Sequence, residues 1–394
     1  MYGLLLTNEV GRGIIPASNK EREDSPMLKR FEVENYKGFK DKMIWDLSQT
    51  KTYSFCKPLT RKHISKNSIV YGKNASGKSS LCSAVIDITT HLLDVEKDLT
   101  PPHMFTYIGN NSSIVNFRYD FLFGKKTVTY VYSKSNLREM IFESLLIDEK
   151  EVIRHDFNDE SKNFIRISGA ENLRTKGLPK QLSVIKYIYN NTIQDDDSII
   201  SQLISFVKGM LYFRSLREAN QYMGYKLGGE KLDSIILRNN KLSDFSEFLR
   251  DMGLNYSLVR LTLSSGLEVI GAKFENNSVI SLNEISSSGT KTLMLFYCWL
   301  LEFDKLTFLI IDEFDAYYHY EVAKKVLEII NSFDNMQSMV TTHNVTLLDT
   351  DVTRPDCAYI IDETGVRNLS SRTSKELRKN HNIEKLYREG AFNE

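Results

Sequence analysis

Cysteine is scarce and scattered. Cys56, Cys82, Cys298 and Cys357 form no C-x-x-C pair and have no histidine at zinc spacing, which argues against a zinc module or a disulfide framework and fits reduced, mostly buried thiols of a cytoplasmic protein. Long apolar runs are missing too. The longest, Leu293 to Leu301, stops at Glu302, far short of the roughly 18 residues that cross a bilayer, so no membrane partner is expected. The N-terminus has no basic region followed by an apolar core, and no secretion signal is expected. Charge of one sign is also lacking: Lys+Arg and Asp+Glu both number 51. That balance gives no support to a mainly electrostatic nucleic-acid binder, although it leaves room for a local basic patch. No heptad tract long enough for an extended coiled coil is present.

What is there describes a globular chain. With 41% hydrophobic and 26% charged residues, the 394 residues have ample material for a core, as two or three domains or as one large domain with an insertion. Residues 1–26 carry little periodicity and are expected to form a poorly ordered extension. Alternation predicts strands at Leu28 to Tyr36, Lys42 to Leu47 and Ser68 to Tyr71, then a helix from Lys78 to about Leu93. Strands at Ser113 to Leu122, Thr127 to Ser133 and Met140 to Ile147 predict an antiparallel sheet that completes an N-terminal lobe, 27–174. Helical periodicity over 175–255 predicts a helical insertion. From 256 to 394, strands near Tyr256 to Leu263, Leu267 to Phe274, Thr307 to Ile311 and Ser338 to Thr341 alternate with helices at Gly289 to Phe303 and Tyr320 to Phe333. This spacing predicts a mostly parallel sheet in a C-terminal lobe and an α/β fold overall.

Four motifs carry chemistry. Gly72, Lys73, Asn74, Ala75, Ser76, Gly77, Lys78 and Ser79 match G-x-x-x-x-G-K-[ST] between an apolar strand and a helix, with Ser80 next. Glycines let the backbone curl so that N–H groups point at phosphate oxygens, the helix N-terminus adds its dipole, Lys78 supplies a cation, and the Ser79 hydroxyl is a Mg²⁺ ligand. Phe308 to Glu313 is an apolar strand ending in two carboxylates, Asp312 to orient Mg²⁺ and Glu313 to polarise an attacking water. A second apolar strand delivers His343, a γ-phosphate contact or a structural residue. Ser286 to Thr290 places Ser287, Ser288 and Gly289 at the start of a helix, an anion-binding surface or an ordinary N-cap. Arg214 and Arg217, in the run Phe213 to Glu218, would reach a phosphate or serve as surface ion-pair partners, and the latter reading is preferred.

The order P-loop, Ser-Ser-Gly signature, Asp-Glu strand and histidine resembles ABC- and SMC-type ATPases. More narrowly, LKRFEVENYKGF, IIDEFDAYYHYEVAKKVL and RKNHNIEKLYREG resemble the ABC-like "AAA family" ATPases of the OLD type found in bacterial anti-phage systems. The resemblance implies an ABC-like head with an antiparallel β subdomain, ATP and Mg²⁺ as ligands, and slow ATP hydrolysis. It implies a homodimer or higher oligomer with ATP at the interface, held by the P-loop of one copy and Ser287, Ser288 and Gly289 of the other. Asp315 takes the position of a residue that crosses such an interface, and His319, one turn on, is structural or catalytic. The signature reads SSSGT where transporters have LSGGQ, no Q-loop glutamine can be placed, and the nuclease domain of a full OLD protein is not expected. The implied role is the sensor or scaffold of a defence system controlling a separately encoded effector, a nuclease or another toxin. The alternatives are a DNA-repair ATPase of the RecF or SMC kind and, more remotely, a transport ATPase.

Overall fold

The computed structural model describes residues 25–95, 105–193, 195–214, 222–224, 230–363 and 365–393. The expected extension lies outside them apart from its last two residues, and Arg217 lies outside them too. Among the described residues, the frame is one mixed sheet of 14 strands. Five neighbours run parallel, in the order Ala358–Asp362, Asn67–Tyr71, Gln337–Thr342, Phe308–Asp312 and Met210–Arg214. These strands are apolar on both faces because the sheet is covered on both. Phe308 and Ile310 join one core with Val70, Met339 and Tyr212, whereas Leu309 and Ile311 join the other with Ile69, Val340 and Leu211.

The rest of the sheet is antiparallel except for one parallel junction, between Gly365–Asn368 and Met43–Asp46. Met43–Asp46, Met27–Glu34, Val115–Phe123, Lys126–Lys134, Met140–Ile147, Lys150–Asp156 and Phe164–Ile165 follow one another as neighbours. They continue the parallel half through Gly365–Asn368, which meets Met43–Asp46 at the pair Val366–Trp45. The expected antiparallel subdomain is thus hydrogen-bonded into the main sheet. A separate three-stranded sheet comprises Ser257–Thr262, Glu268–Lys273 and Val279–Ser281.

Helices cover the two faces. The P-loop helix, Lys78–Val85, buries Leu81, Cys82, Ala84 and Val85 in the first core. Ser288–Leu300 and Tyr320–Ser332 bury their apolar faces in the second. The helix expected to run from Lys78 to Leu93 is two, Lys78–Val85 and Ile88–Leu92. Where the first ends, the Tyr119 hydroxyl donates to the carbonyls of Ala84 and Val85.

Segment 175–255 differs from a purely helical insertion. It holds the helices Val184–Asn191, Ile199–Lys208, Leu232–Arg238 and Leu242–Asp251, but also the sheet strand Met210–Arg214. Sequence periodicity extends the preceding helix to Met210, because five mostly apolar residues fit either element. The switch occurs at Gly209, where a Cβ would lie 2.7 Å from the Thr307 side chain.

Candidate functional site

The register of the parallel strands brings the predicted motifs to one edge. Tyr71 pairs with Thr342, Ile311 with Val340, and Arg214 with Asp312. Gly72, His343 and Glu313 therefore leave the sheet side by side at the carboxyl ends of its strands, where open α/β sheets bind ligands.

The loop after Tyr71 is shaped by two glycines. A Cβ on Gly72 would sit 2.3 Å from the Ser76 Oγ and 2.7 Å from the Ile361 side chain. Gly77 has a φ of 99°, and a Cβ there would meet the Phe39 ring at 2.7 Å. Ala75 also has a positive φ, 63°. Lys73, Asn74 and Ala75 are exposed, whereas Ser76, Gly77, Ser79 and Ser80 are half-buried. Lys78 is buried, and its ammonium folds back to donate to the carbonyls of Gly72 at 2.7 Å and Lys73 at 2.9 Å. Burial pulls this ammonium below its ordinary pKa, against the opposing pull of Asp312 and Glu313. The helix begins at Gly77 with no side-chain cap, so its first N–H groups point toward the loop unclaimed by a side chain. The buried Ser76 hydroxyl has no hydrogen-bond partner.

Across the tip of the neighbouring strand, Thr341 organises the acidic pair. Its hydroxyl donates to Asp312 Oδ1 at 2.6 Å and accepts the Glu313 N–H at 2.9 Å. Glu313 takes a φ of 52°, and the Phe314 N–H returns to the Thr341 carbonyl at 3.2 Å. Asp312 is fully buried, and its Oδ2 accepts no hydrogen bond. Among the described residues, its ion-pair partner is Arg214, whose Nε lies 3.6 Å from that oxygen. The same guanidinium makes a 2.6 Å ion pair with Glu313 Oε2. Burial pulls the Arg214 pKa down, but the hydrogen bond to Glu313 and the charges of both carboxylates leave it above the ordinary value. Cys82, one turn into the P-loop helix from Ser79, places its Sγ 3.9 Å from Asp312 Oδ1.

His343 is exposed at the end of its strand. The preceding Thr342 hydroxyl donates to Asp315 at 2.8 Å. Asp315 is buried within its own chain, so its side chain turns inward, unlike that of a residue reaching across an interface. His319 is exposed and precedes the helix Tyr320–Ser332 without a capping hydrogen bond from its side chain. The signature residues open the helix Ser288–Leu300. Ser287 and Ser288 are exposed, and the Ser287 hydroxyl caps its own helix by accepting from the Thr290 N–H. Gly289 is pressed against the loop that follows Glu313, where a Cβ would approach the Tyr317 carbonyl to 2.8 Å.

The P-loop, Asp312, Glu313 and His343 thus converge, and the arrangement offers curled main-chain donors, one ammonium and two carboxylates to a polyphosphate. Sequence reasoning missed Thr341 and set Arg214 aside as a surface residue. A threonine at a strand end has no distinguishing pattern, and the partner of Arg214 lies 99 positions away.

The sequence model of a family described as "AAA domain, putative AbiEii toxin, Type IV TA system" matches residues 68–349. No curated protein matches the chain. Among solved structures, it is similar to the Smc head domain with an extended coiled coil bound to the C-terminal domain of ScpA, from Pyrococcus furiosus. That similarity has 12% identity and a TM-score of 0.47, covering 88% of this chain and 97% of that one. The SMC head domain from Thermotoga maritima gives 14% identity and a TM-score of 0.40 over 84% and 94%. The recombination mediator protein RecF with ATP gives 14% and 0.39 over 88% and 99%.

Proposed function

Because the chain belongs to this AAA-domain family, we propose that it binds ATP with Mg²⁺ at the carboxyl edge of the parallel strands and hydrolyses it. The observation that carries this reading is the shared register, which sets the P-loop, the Asp312–Glu313 tip and His343 beside one another. Main-chain N–H groups of Gly72 to Gly77 and of the helix start hold the phosphates. The Lys78 ammonium leaves its loop carbonyls for the β- and γ-phosphates. Glu313 orients and polarises the attacking water, and His343 contacts the γ-phosphate. The buried Asp312 Oδ2, without a hydrogen-bond donor, fits a divalent cation. Asp312 and the Ser79 hydroxyl would hold Mg²⁺, which supplies charge neutralisation of the phosphates.

The second part of the proposal is that two copies close on ATP, with Ser287, Ser288 and Gly289 of one facing the P-loop of the other. Exposure of Ser287 and Ser288 at the start of a 13-residue helix supports this. The biological role we propose is that of a sensor or scaffold ATPase that controls a separately encoded effector in an anti-phage system of the OLD type. The family description, which names a toxin of a toxin–antitoxin system, supports a two-component arrangement.

The test is equilibrium binding of a fluorescent ATP analogue to the wild-type chain and to Lys78→Ala, followed by co-purification with the products of neighbouring genes. Tight wild-type binding that Lys78→Ala abolishes is the expected result. Equal binding by both, or by neither, removes the nucleotide reading. Salt-sensitive DNA binding with DNA-stimulated turnover, and no co-purifying protein, would replace the effector role by DNA repair.

A further inference from the structure

We propose that Arg214 is a specificity-determining residue of this nucleotide site, an internal counter-ion that holds the Asp312 and Glu313 carboxylates and exchanges them for the terminal phosphate of a bound nucleoside triphosphate. The proposal rests on the nucleotide reading given above.

Arg214 ends the strand Met210–Arg214 and is the direct lateral neighbour of Asp312. Its side chain is 23% exposed, at the rim of the site, while that of Asp312 is fully buried. A carboxylate so buried needs charge compensation. Lys78 does not supply it directly, because its ammonium is held by the carbonyls of Gly72 and Lys73. Arg214 contacts both acids, at 2.6 Å from Glu313 and 3.6 Å from Asp312. The same two acids are the ones proposed to face a divalent cation and a water.

A guanidinium against Asp312 opposes a dication there by direct repulsion. Two arrangements therefore exclude each other. In one, Arg214 neutralises the acids. In the other, the acids are free for metal and water, and the planar guanidinium fork turns to phosphate oxygens, which it matches as well as it matches a carboxylate. A diphosphate lacks the terminal group that accepts the fork. Arg214 thereby makes the site selective for the triphosphate and keeps it from loading metal alone.

Two binding measurements on the full chain test this. The first is the ratio of ATP to ADP affinity with Mg²⁺ present. The second is binding of Mn²⁺ without nucleotide, read by electron paramagnetic resonance. Arg214→Gln is expected to reduce the ATP preference by about tenfold to a hundredfold, the range a charged hydrogen bond is worth. The same variant should bind Mn²⁺ more tightly than the wild type. Arg214→Lys keeps the charge without the fork. It should leave Mn²⁺ binding weak while losing part of the ATP preference, and it decides the matter if Arg214→Gln does not fold. A folded Arg214→Gln with wild-type nucleotide selectivity and wild-type Mn²⁺ affinity overturns the inference, as does full ATP selectivity in Arg214→Lys. If the wild-type chain binds neither nucleotide, the underlying reading has failed and this one with it. If the wild type prefers ATP and Arg214→Gln keeps that preference undiminished with wild-type Mn²⁺ affinity, this inference alone is lost.

Discussion

Thr341 and Asp315 illustrate how single side chains set this site. Thr341 serves as donor to Asp312 and acceptor for the Glu313 N–H, and so fixes the turn in which Glu313 takes its left-handed φ of 52°. Such a conformation costs a non-glycine residue of order 1–3 kcal/mol and persists where its surroundings over-determine it. Asp315 has a different problem. Burial raises its pKa above the ordinary carboxyl value, only partly offset by the hydrogen bond from Thr342. A raised folded-state pKa means that the unfolded chain ionises first as pH climbs, so this group's contribution is present below the unfolded value, about 3.9. It is lost as pH rises through the folded value. Asp315→Asn does not titrate. The difference in melting temperature, variant minus wild type, should therefore grow with pH from about 4 upward and then level off. A difference that stays flat between acid and neutral pH would show that Asp315 carries no burial cost.

At the scale of elements, the antiparallel strands are tied to the P-loop side of the molecule by buried polar groups. Lys134 donates to Asp87 Oδ2 at 2.7 Å, both side chains being fully buried, and the Tyr132 hydroxyl donates to the same oxygen at 3.0 Å. Asp87 sits in the break between Lys78–Val85 and Ile88–Leu92. Beyond it, Glu143 accepts from Tyr130, Ser183 and the Val184 N–H, fastening the start of Val184–Asn191 to Met140–Ile147. Lys134→Met leaves the Asp87 carboxylate buried without its cation, and the expected loss is about 3–5 kcal/mol. Chemical denaturation measures it, and a loss below about 1 kcal/mol would mean that water or a neighbour replaces the lysine.

These elements also show where sequence reading succeeds. The P-loop and the acidic strand were legible because each places its chemistry in a few consecutive residues between punctuating elements, and Met140–Ile147 was placed to the residue by alternation. The break at Asp87, the strand after Gly209 and the Arg214 pair were not legible. Each depends on a partner far along the chain: Lys134, Thr307 and Glu313 respectively.

For the whole molecule, the signature segment and the P-loop face different surroundings in one chain. The P-loop stands at the strand edge with Lys73 to Ala75 exposed, while Ser287 and Ser288 are exposed at a helix start packed against the loop after Glu313. The contact of Gly289 with the Tyr317 carbonyl gives the proposed interface a mechanical link to the acidic tip. Under the proposed closure, a second copy docking on Ser288 would press on the loop that continues Glu313. Glu313→Gln, which removes the proposed base but keeps the side-chain shape, is expected to retain ATP and to double its mass in solution when ATP is added. Adding Ser288→Arg to that variant places a bulky cation at the docking surface. The Ser287 cap is undisturbed, so the helix and ATP binding should persist while the mass stays that of one chain. Light scattering coupled to size exclusion reads both. ATP-driven association that survives Ser288→Arg rules out this surface as the partner of the P-loop. No association in Glu313→Gln with ATP bound rules out closure on nucleotide altogether.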